Sequence, residues 1–240
     1  MDRLGPTRRP AGPAQGSQRW DRLLFSHWEV PASVLRPLVD ARLGLDDFQG
    51  RCLVGLVAFE MQRVRPFRWL PSVPGATRFA EVNLRTYVHL DGAEPGVYFF
   101  SLDAASALTV WAARLGWGLP YRRADFPLHQ DDGAKVAWSA RRRGGGGLEA
   151  AFDIGEALPA SLPGSLAFFL TERYQFYARR RGQLRRARVA HPPYPLHRAR
   201  VTRLETDLLE RAGLPQDGPR TEDFFSPGVE VEVFPLSSVG

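Results

Sequence analysis

The fold is decided by residues 79–126, FAEVNLRTYVHLDGAEPGVYFFSLDAASALTVWAARLGWGLPYRRADF, which predict a β-hairpin, a helix and a further strand. Successive side chains of a strand point to opposite sides, so the first strand has a polar face and a mostly apolar face. The polar face carries Glu81, Asn83, Arg85, Tyr87 and His89. A turn at residues 91–96 and the apolar run 97–102 complete the predicted hairpin.

A helix is predicted after the hairpin, because apolar residues recur at helical spacing from Ala105 to Leu115. Asp103 is its predicted N-cap, since a carboxylate there can accept from the free amides of the first turn. Gly116 and Gly118 can end the helix. Tyr121 then begins another predicted strand.

Composition predicts one globular domain. The chain has 240 residues, of which 44% are hydrophobic, which is enough for a sizeable β-rich core. We expect residues 1–18, rich in Pro, Gly and Arg, to be a disordered tail, and residues 19–240 to form a single domain. No apolar run approaches the roughly 20 residues of a membrane span, and we expect a cytoplasmic protein.

Positive charge is concentrated in residues 179–188, RRRGQLRRAR, within a chain of net charge +6. The run is interpreted either as a solvated basic edge of the sheet or as a surface that binds polyanions or a protein partner. Aromatic interleaving and the known modules of nucleic-acid binders are missing, so nucleic acid is not the expected partner. A homo-oligomer is compatible with the sequence.

Other patterns favour structural roles. GRCLVGLVAFEM, residues 50–61, predicts a strand that is buried on both faces. Residues 201–212 predict a helix, and Glu172 with Arg173 predicts a surface or structural ion pair. The five histidines lack metal-ligand spacing and Cys52 is the only cysteine, so we expect neither a metal nor another cofactor.

The polar face of the 79–90 strand is the candidate site. Many short strands with few helices suggest a β-barrel, whose interior can hold a small ligand. If this face points inward, Arg85 could bind a carboxylate and Glu81 could serve as an acid or base. A strand facing solvent has the same alternation, so periodicity alone leaves both orientations open.

Several motifs together resemble the YqjF-like family of bacterial proteins of unknown function, within the acetoacetate decarboxylase-like superfamily. They are HWEVP, LGLDDFQGRCLVGLVAF, FAEVNLRTYV, GVYFFSLDA, ARLGWGLPY, FLTERYQFYA and HPPYPL. The resemblance covers almost everything from Trp20 to about residue 200. It implies an α+β, mainly β fold: an antiparallel β-barrel or cone with a few short helices and a central pocket. It also favours the inward orientation of the polar strand.

One departure from the decarboxylases concerns their Schiff-base lysine. Glu81 matches their site glutamate, but in GLPYRR Tyr121 stands where the lysine would be, followed by Arg122. Neither a phenol nor a guanidinium forms an iminium with a ketone at neutral pH, and Lys135 lies on another predicted strand. The expected function is therefore binding of a small organic acid or carbonyl compound, with or without lyase- or isomerase-like acid/base chemistry. Glu81 and Tyr121 are the candidate catalytic residues, and the candidate ligand-binding residues are Asn83, Arg85, Tyr87 and Arg122.

Overall fold

Strands make up most of the computed structural model, which describes residues 1–69, 78–106, 118–180 and 182–239. The strands within these ranges are β1 (Gly16–Glu29), β2 (Leu43–Leu45), β3 (Leu53–Arg65), β4 (Arg78–Leu90), β5 (Ala93–Ala104), β6 (Tyr121–Asp131), β7 (Lys135–Arg142), β8 (Gly147–Ala157), β9 (Gln175–Arg180), β10 (Gln183–Ala190), β11 (His197–Thr206), β12 (Phe224–Val233) and β13 (Ser237–Ser238). The helices are α1 (Ala32–Leu35), α2 (Leu166–Thr171) and α3 (Leu208–Arg211), with 3-10 turns at Gly5–Thr7 and Arg36–Leu38. These elements confirm the predicted mainly β fold with a few short helices.

Seven of the strands form a closed ring. Pairing runs in the order β1, β3, β4, β5, β9, β10 and β12, and β12 pairs again with β1. Closing a sheet on itself leaves an interior lined by alternate residues of each strand. The predicted antiparallel pattern is not uniform, because β5 pairs in parallel with both β6 and β9.

Two apolar cores lie on opposite faces of the shared strands β1, β3 and β4. One core is inside the ring and includes Phe25 and Val57. The other includes their chain neighbours Leu24 and Leu56, and is covered by β7, β8 and α3. Because strand side chains alternate, a strand between two cores must be apolar on both faces. This confirms the burial predicted for GRCLVGLVAFEM, although β3 begins only at Leu53.

The predicted hairpin is β4 and β5, joined by Asp91 and Gly92. Both turn residues have positive φ, 50° and 71°, as an Asp-Gly hairpin turn of the primed kind requires. The N-cap prediction for Asp103 is wrong, because β5 continues to Ala104. The Asp103 carboxylate instead accepts from Arg142 Nε and Nη2, each at 2.8 Å. Most of the helix predicted after it, residues 107–117, lies outside the described residues.

The basic run lies in the hairpin of β9 and β10. The neighbouring strands β5 and β12 pair with residues that flank the run, whereas β13 pairs with Arg185 and Arg186 within it. Arg179 and Gly182 are exposed, as the prediction of a solvated basic surface requires. Several of its arginines bind acceptors within the chain: Arg179 pairs with Asp40, Arg186 pairs with Glu94, and Arg188 donates to the carbonyl oxygens of Pro6 and Arg8. Its charge is therefore partly neutralised within the chain.

The N-terminal segment lies along the ring. Arg9 Nη2 donates to Glu232 at 3.0 Å, and the Gln15 amide donates to the Val233 carbonyl at 2.8 Å. β1 begins at Gly16, within the predicted tail of residues 1–18. Disorder of that tail stays a prediction. Among the described helices, none has both the length and the apolar character that a membrane span requires.

Candidate functional site

The ring encloses a cavity of about 620 Å³, here called the lumen. Glu81, Asn83 and Arg85 line it, whereas Val82 and Leu84, which alternate with them, lie in the second core. The polar face of β4 is therefore turned inward, which decides between the two orientations that periodicity left open. We call Glu81, Asn83 and Arg85, together with Tyr121 of β6, the β4 strip.

Glu81 is a buried carboxyl with polar neighbours but no cation paired with it among the described residues. The Tyr121 hydroxyl donates to Glu81 Oε2 at 2.8 Å, and the Asn83 side chain also hydrogen-bonds the carboxyl. Burial raises the pKa of Glu81 to about 8, against the smaller lowering effect of these two hydrogen bonds. Glu81 is thus a neutral acid at neutral pH, so it can donate a hydrogen bond or a proton.

Arg85 lies four residues farther along β4 and is partly buried. Its Nη2 donates to the Leu170 carbonyl of α2 at 3.1 Å, and its guanidinium carbon lies 5.8 Å from the centre of the Phe25 ring. Arg85 Nε is buried without a hydrogen-bond partner in the described parts of the chain, and no described carboxylate lies within ion-pair distance. Asn83 Oδ1 is likewise buried and unpaired. A partly buried guanidinium without a counterion among the described residues favours an anionic ligand.

A second guanidinium, from Arg173, also lines the lumen but is compensated. Arg173 Nη1 pairs with Asp46 at 2.7 Å, and Arg3 pairs with the same carboxylate at 2.5 Å. The ring of Phe169 lies 4.2 Å from the Arg173 guanidinium and 4.8 Å from that of Arg3. Burial alone would raise the pKa of Asp46, but the two arginines outweigh it and hold that pKa below its usual range. We call Arg3, Asp46, Phe169 and Arg173 the Asp46 cluster.

The sequence analysis missed the Asp46 cluster. Glu172 and Arg173, predicted as an ion pair, are both buried and bind different partners: Glu172 accepts from the Tyr174 hydroxyl and from the Tyr194 amide. The burial of Glu172 and Arg173 could have been predicted from their position inside the apolar and aromatic segment FLTERYQFY. Such residues are buried only when paired.

Two predicted ligand contacts are not at the lumen. Tyr87 is fully buried behind it, where its hydroxyl donates to the Leu170 carbonyl at 2.9 Å and lies 2.7 Å from His27 Nε2. Arg122 is exposed, because Tyr121 points inward and the next residue of a strand points outward. The carboxylate-binding role predicted for Arg122 is therefore wrong for the lumen.

The single lysine, Lys135, is exposed at the start of β7 and does not line the lumen. The described residues also include no group of three or more His, Cys, Asp or Glu side chains placed to hold a metal ion. The functional groups that the β4 strip presents to the lumen are therefore a carboxylic acid, a phenol, an amide and a guanidinium.

Comparison with known proteins agrees with this architecture. Residues 17–230 match the model of the DUF2071 family, described as "Uncharacterized conserved protein (COG2071)". The chain belongs to the DUF2071 family. A curated relative in sequence, "Uncharacterized protein YqjF" from Bacillus subtilis (strain 168), is 37% identical over 209 residues, which cover 84% of each chain. The resemblance noted in the sequence is thereby confirmed.

Solved structures similar to this DUF2071 member have the acetoacetate decarboxylase-like fold. One is acetoacetate decarboxylase from Legionella pneumophila, with a TM-score of 0.67, 13% identity, and coverage of 98% of this chain and 92% of that one. Another is the enduracididine biosynthesis enzyme MppR complexed with pyruvate, with a TM-score of 0.62, 10% identity, and coverage of 97% and 93%. At these identities the likeness establishes the fold alone.

Proposed function

We propose that the chain binds a small organic acid or carbonyl compound in the lumen, and either carries out lyase- or isomerase-like acid/base chemistry on it or holds it unchanged. The observation that carries the proposal is Arg85, a guanidinium at the lumen with no carboxylate partner among the described residues. A ligand carboxylate there would supply the missing counterion. MppR, which has the same fold, was captured with pyruvate, a keto acid.

Glu81 and Tyr121 supply the acid/base part of the proposal. The ionised fraction of Glu81, whose pKa is about 8, would remove a proton from the carbon next to the ligand carbonyl, while the Tyr121 hydroxyl turns to donate to the developing enolate oxygen. The neutral Glu81 so formed would then return a proton to a carbon of the enolate, which restores the carbonyl. Without a lysine at the lumen, the chemistry proceeds without a Schiff base.

The test is calorimetric titration of pyruvate, acetoacetate and laevulinate into the wild type, Arg85→Met and Arg122→Ala. Arg122→Ala is the matched control, because it also removes an arginine but on the outer side of the ring. A hydrogen bond to a charged group contributes about 1.5–3 kcal/mol, so Arg85→Met should weaken binding about tenfold to a hundredfold. Arg122→Ala should bind as the wild type does. Equal affinities in all three proteins would contradict the proposal.

Turnover is distinguished from simple binding by proton exchange. In deuterated water an enzyme of this kind exchanges the protons on the carbon next to the ligand carbonyl for deuterium, which NMR detects. Glu81→Gln should abolish that exchange while the ligand still binds. A ligand that binds in an Arg85-dependent manner without exchange identifies a binding protein.

A further inference from the structure

The two ends of the β4 strip are far apart. Glu81 and Arg85 share a face of β4 four residues apart, which is about 13 Å between Cα atoms at about 3.3 Å per residue. Arg85 does not lean back toward Glu81, because its Nη2 is bonded to the Leu170 carbonyl and its guanidinium carbon lies 5.9 Å from the Tyr87 ring, farther along the strand. A short keto acid such as pyruvate therefore cannot contact both ends.

The wall of the lumen alongside the β4 strip is apolar and largely aromatic. The rings of Trp20 and Phe59 lie 5.9 Å apart, and those of Phe99 and Phe176 lie 5.7 Å apart, all four residues lining the lumen. In the strand register Phe59 lies opposite one end of the β4 strip and Phe99 opposite the other. Such a wall favours a hydrocarbon or aromatic body over water along the whole strip.

The size of the lumen agrees with an extended ligand. Its 620 Å³ equals the volume of about twenty water molecules, at about 30 Å³ each, and lies in the middle of the range for sites that enclose drug-sized molecules. A small keto acid would leave most of this apolar wall in contact with water.

The charges at the two ends are unequal. Arg85 offers one uncompensated positive charge, whereas Asp46 already compensates Arg173. At the other end Glu81 and Tyr121 are neutral hydrogen-bonding groups with no described cation beside them. One carboxylate fits the first end, and an uncharged carbonyl or hydroxyl fits the second.

We propose that the ligand is an elongated amphipathic monocarboxylic acid, with its carboxylate at Arg85, its apolar body along the aromatic wall and a carbonyl or hydroxyl group at Glu81 and Tyr121. This assignment rests on the proposed function and specifies the ligand class of the same site. A site for such a ligand differs from a site for short keto acids, because its two polar ends are too far apart for a short keto acid to contact both.

The test uses a series of methyl ketones with a carboxylate at the opposite end: pyruvate, laevulinate and an oxo-octanoate of the same type, titrated calorimetrically into the wild type and Arg85→Met. Each methylene buried against the wall should raise affinity about fourfold. Arg85→Met should weaken the whole series, whereas the rise with chain length should persist in it.

A second experiment uses substitutions that narrow the lumen between its two ends. Val57 and Leu102 both lie opposite Asn83 in the register and line the lumen from neighbouring strands. Val57→Phe should weaken the oxo-octanoate at least tenfold while leaving pyruvate unchanged. Leu102→Phe makes the same test from β5, so the result does not depend on one variant keeping the native fold, which circular dichroism verifies.

The outcomes separate the two proposals. The proposal of an elongated ligand would be overturned if affinity stayed constant or fell with chain length. It would also be overturned if Val57→Phe and Leu102→Phe bound the oxo-octanoate as well as the wild type does. The proposed function would still stand if Arg85→Met weakened pyruvate binding. Acids that bind equally well to the wild type and Arg85→Met would overturn both.

Discussion

The Asp46 cluster, which reaches the lumen through Arg173, and the β4 strip differ in how charge is compensated. In the Asp46 cluster one buried carboxylate pairs with two arginines, and the pKa of Asp46 is held low. In the β4 strip the acid is neutral and the guanidinium has no described counterion. A buried charge with its partner inside the chain has its desolvation cost largely offset, whereas an uncompensated one costs stability until a ligand completes it.

The largest expected effect is on the Asp46 cluster. Asp46→Asn leaves the buried Arg173 without its carboxylate, and breaking a buried pair from one side costs about 3–5 kcal/mol. Urea unfolding at neutral pH measures the loss. The double variant Asp46→Asn with Arg173→Met removes the stranded charge and should recover much of the stability. A loss below about 1 kcal/mol in Asp46→Asn would mean that the pair is not compensating a buried charge.

The next effect is the pH dependence that Glu81 gives to folding. The folded chain keeps the Glu81 proton up to about pH 8, whereas the unfolded chain releases it near the ordinary value of 4.5. Between these two pKa values the unfolded state binds fewer protons, so the free energy of unfolding falls as pH rises, by about 1.4 kcal/mol per pH unit. The contribution is complete below pH 4.5 and lost above about pH 8.

Glu81→Gln cannot titrate, so this fall should be missing from its pH profile. Urea unfolding of the wild type and the variant at several pH values gives the difference between their profiles, which cancels the other titrating groups. Identical profiles would mean that Glu81 is ionised in the folded protein and would remove the main contrast with Asp46.

A smaller effect separates the two guanidiniums directly. Arg173→Met loses hydrogen bonds to Asp46 and to the Phe169 carbonyl and should destabilise the chain by about 1–3 kcal/mol. Arg85→Met removes a buried charge without a described counterion and should change stability by less than about 1 kcal/mol, or increase it. Thermal unfolding of the two variants measures the contrast. Equal destabilisation would show that Arg85 is structural as well.

The smallest expected effect comes from Tyr121→Phe. It removes a hydrogen bond that lowers the pKa of Glu81, so that pKa should rise further above its value of about 8. The net cost in stability is about 1 kcal/mol. The infrared band of the protonated carboxyl, followed through a pH titration and identified by its loss in Glu81→Gln, gives the midpoint. A midpoint that falls would contradict the assigned hydrogen bond.

The sequence could predict the β4 strip because its information is local. Alternation put Glu81, Asn83 and Arg85 on one face, and the turn was predicted at residues 91–96, where the structure has a shorter turn of Asp91 and Gly92. The inward direction of that face needed the resemblance to a barrel family, since periodicity is the same for lumen and solvent. Arg122 was misplaced because the alternation that turns Tyr121 inward was not applied to the next residue.

The Asp46 cluster could not be predicted, because Asp46 and Arg173 are 127 residues apart in the chain and meet only through tertiary structure. The helix predicted at residues 201–212 was wrong for a related reason. Its apolar residues have helical spacing, but pairing with β8 makes His197–Thr206 the strand β11, and only Leu208–Arg211 is helical. Strand pairing therefore overrides the local helical spacing of residues 201–206.

Closure of the ring also has a kinetic consequence. Gly16 of β1 pairs with Val233 of β12, so two strands that are distant in sequence must meet before the lumen exists. A contact so distant in sequence carries a high cost in loop-closure entropy and slows folding relative to helical proteins of equal stability. During synthesis the ring cannot close until β12 has left the ribosome, and until then β1 and β3 expose apolar residues on both faces. Nascent chains of this protein should therefore depend on chaperones more than their size alone suggests.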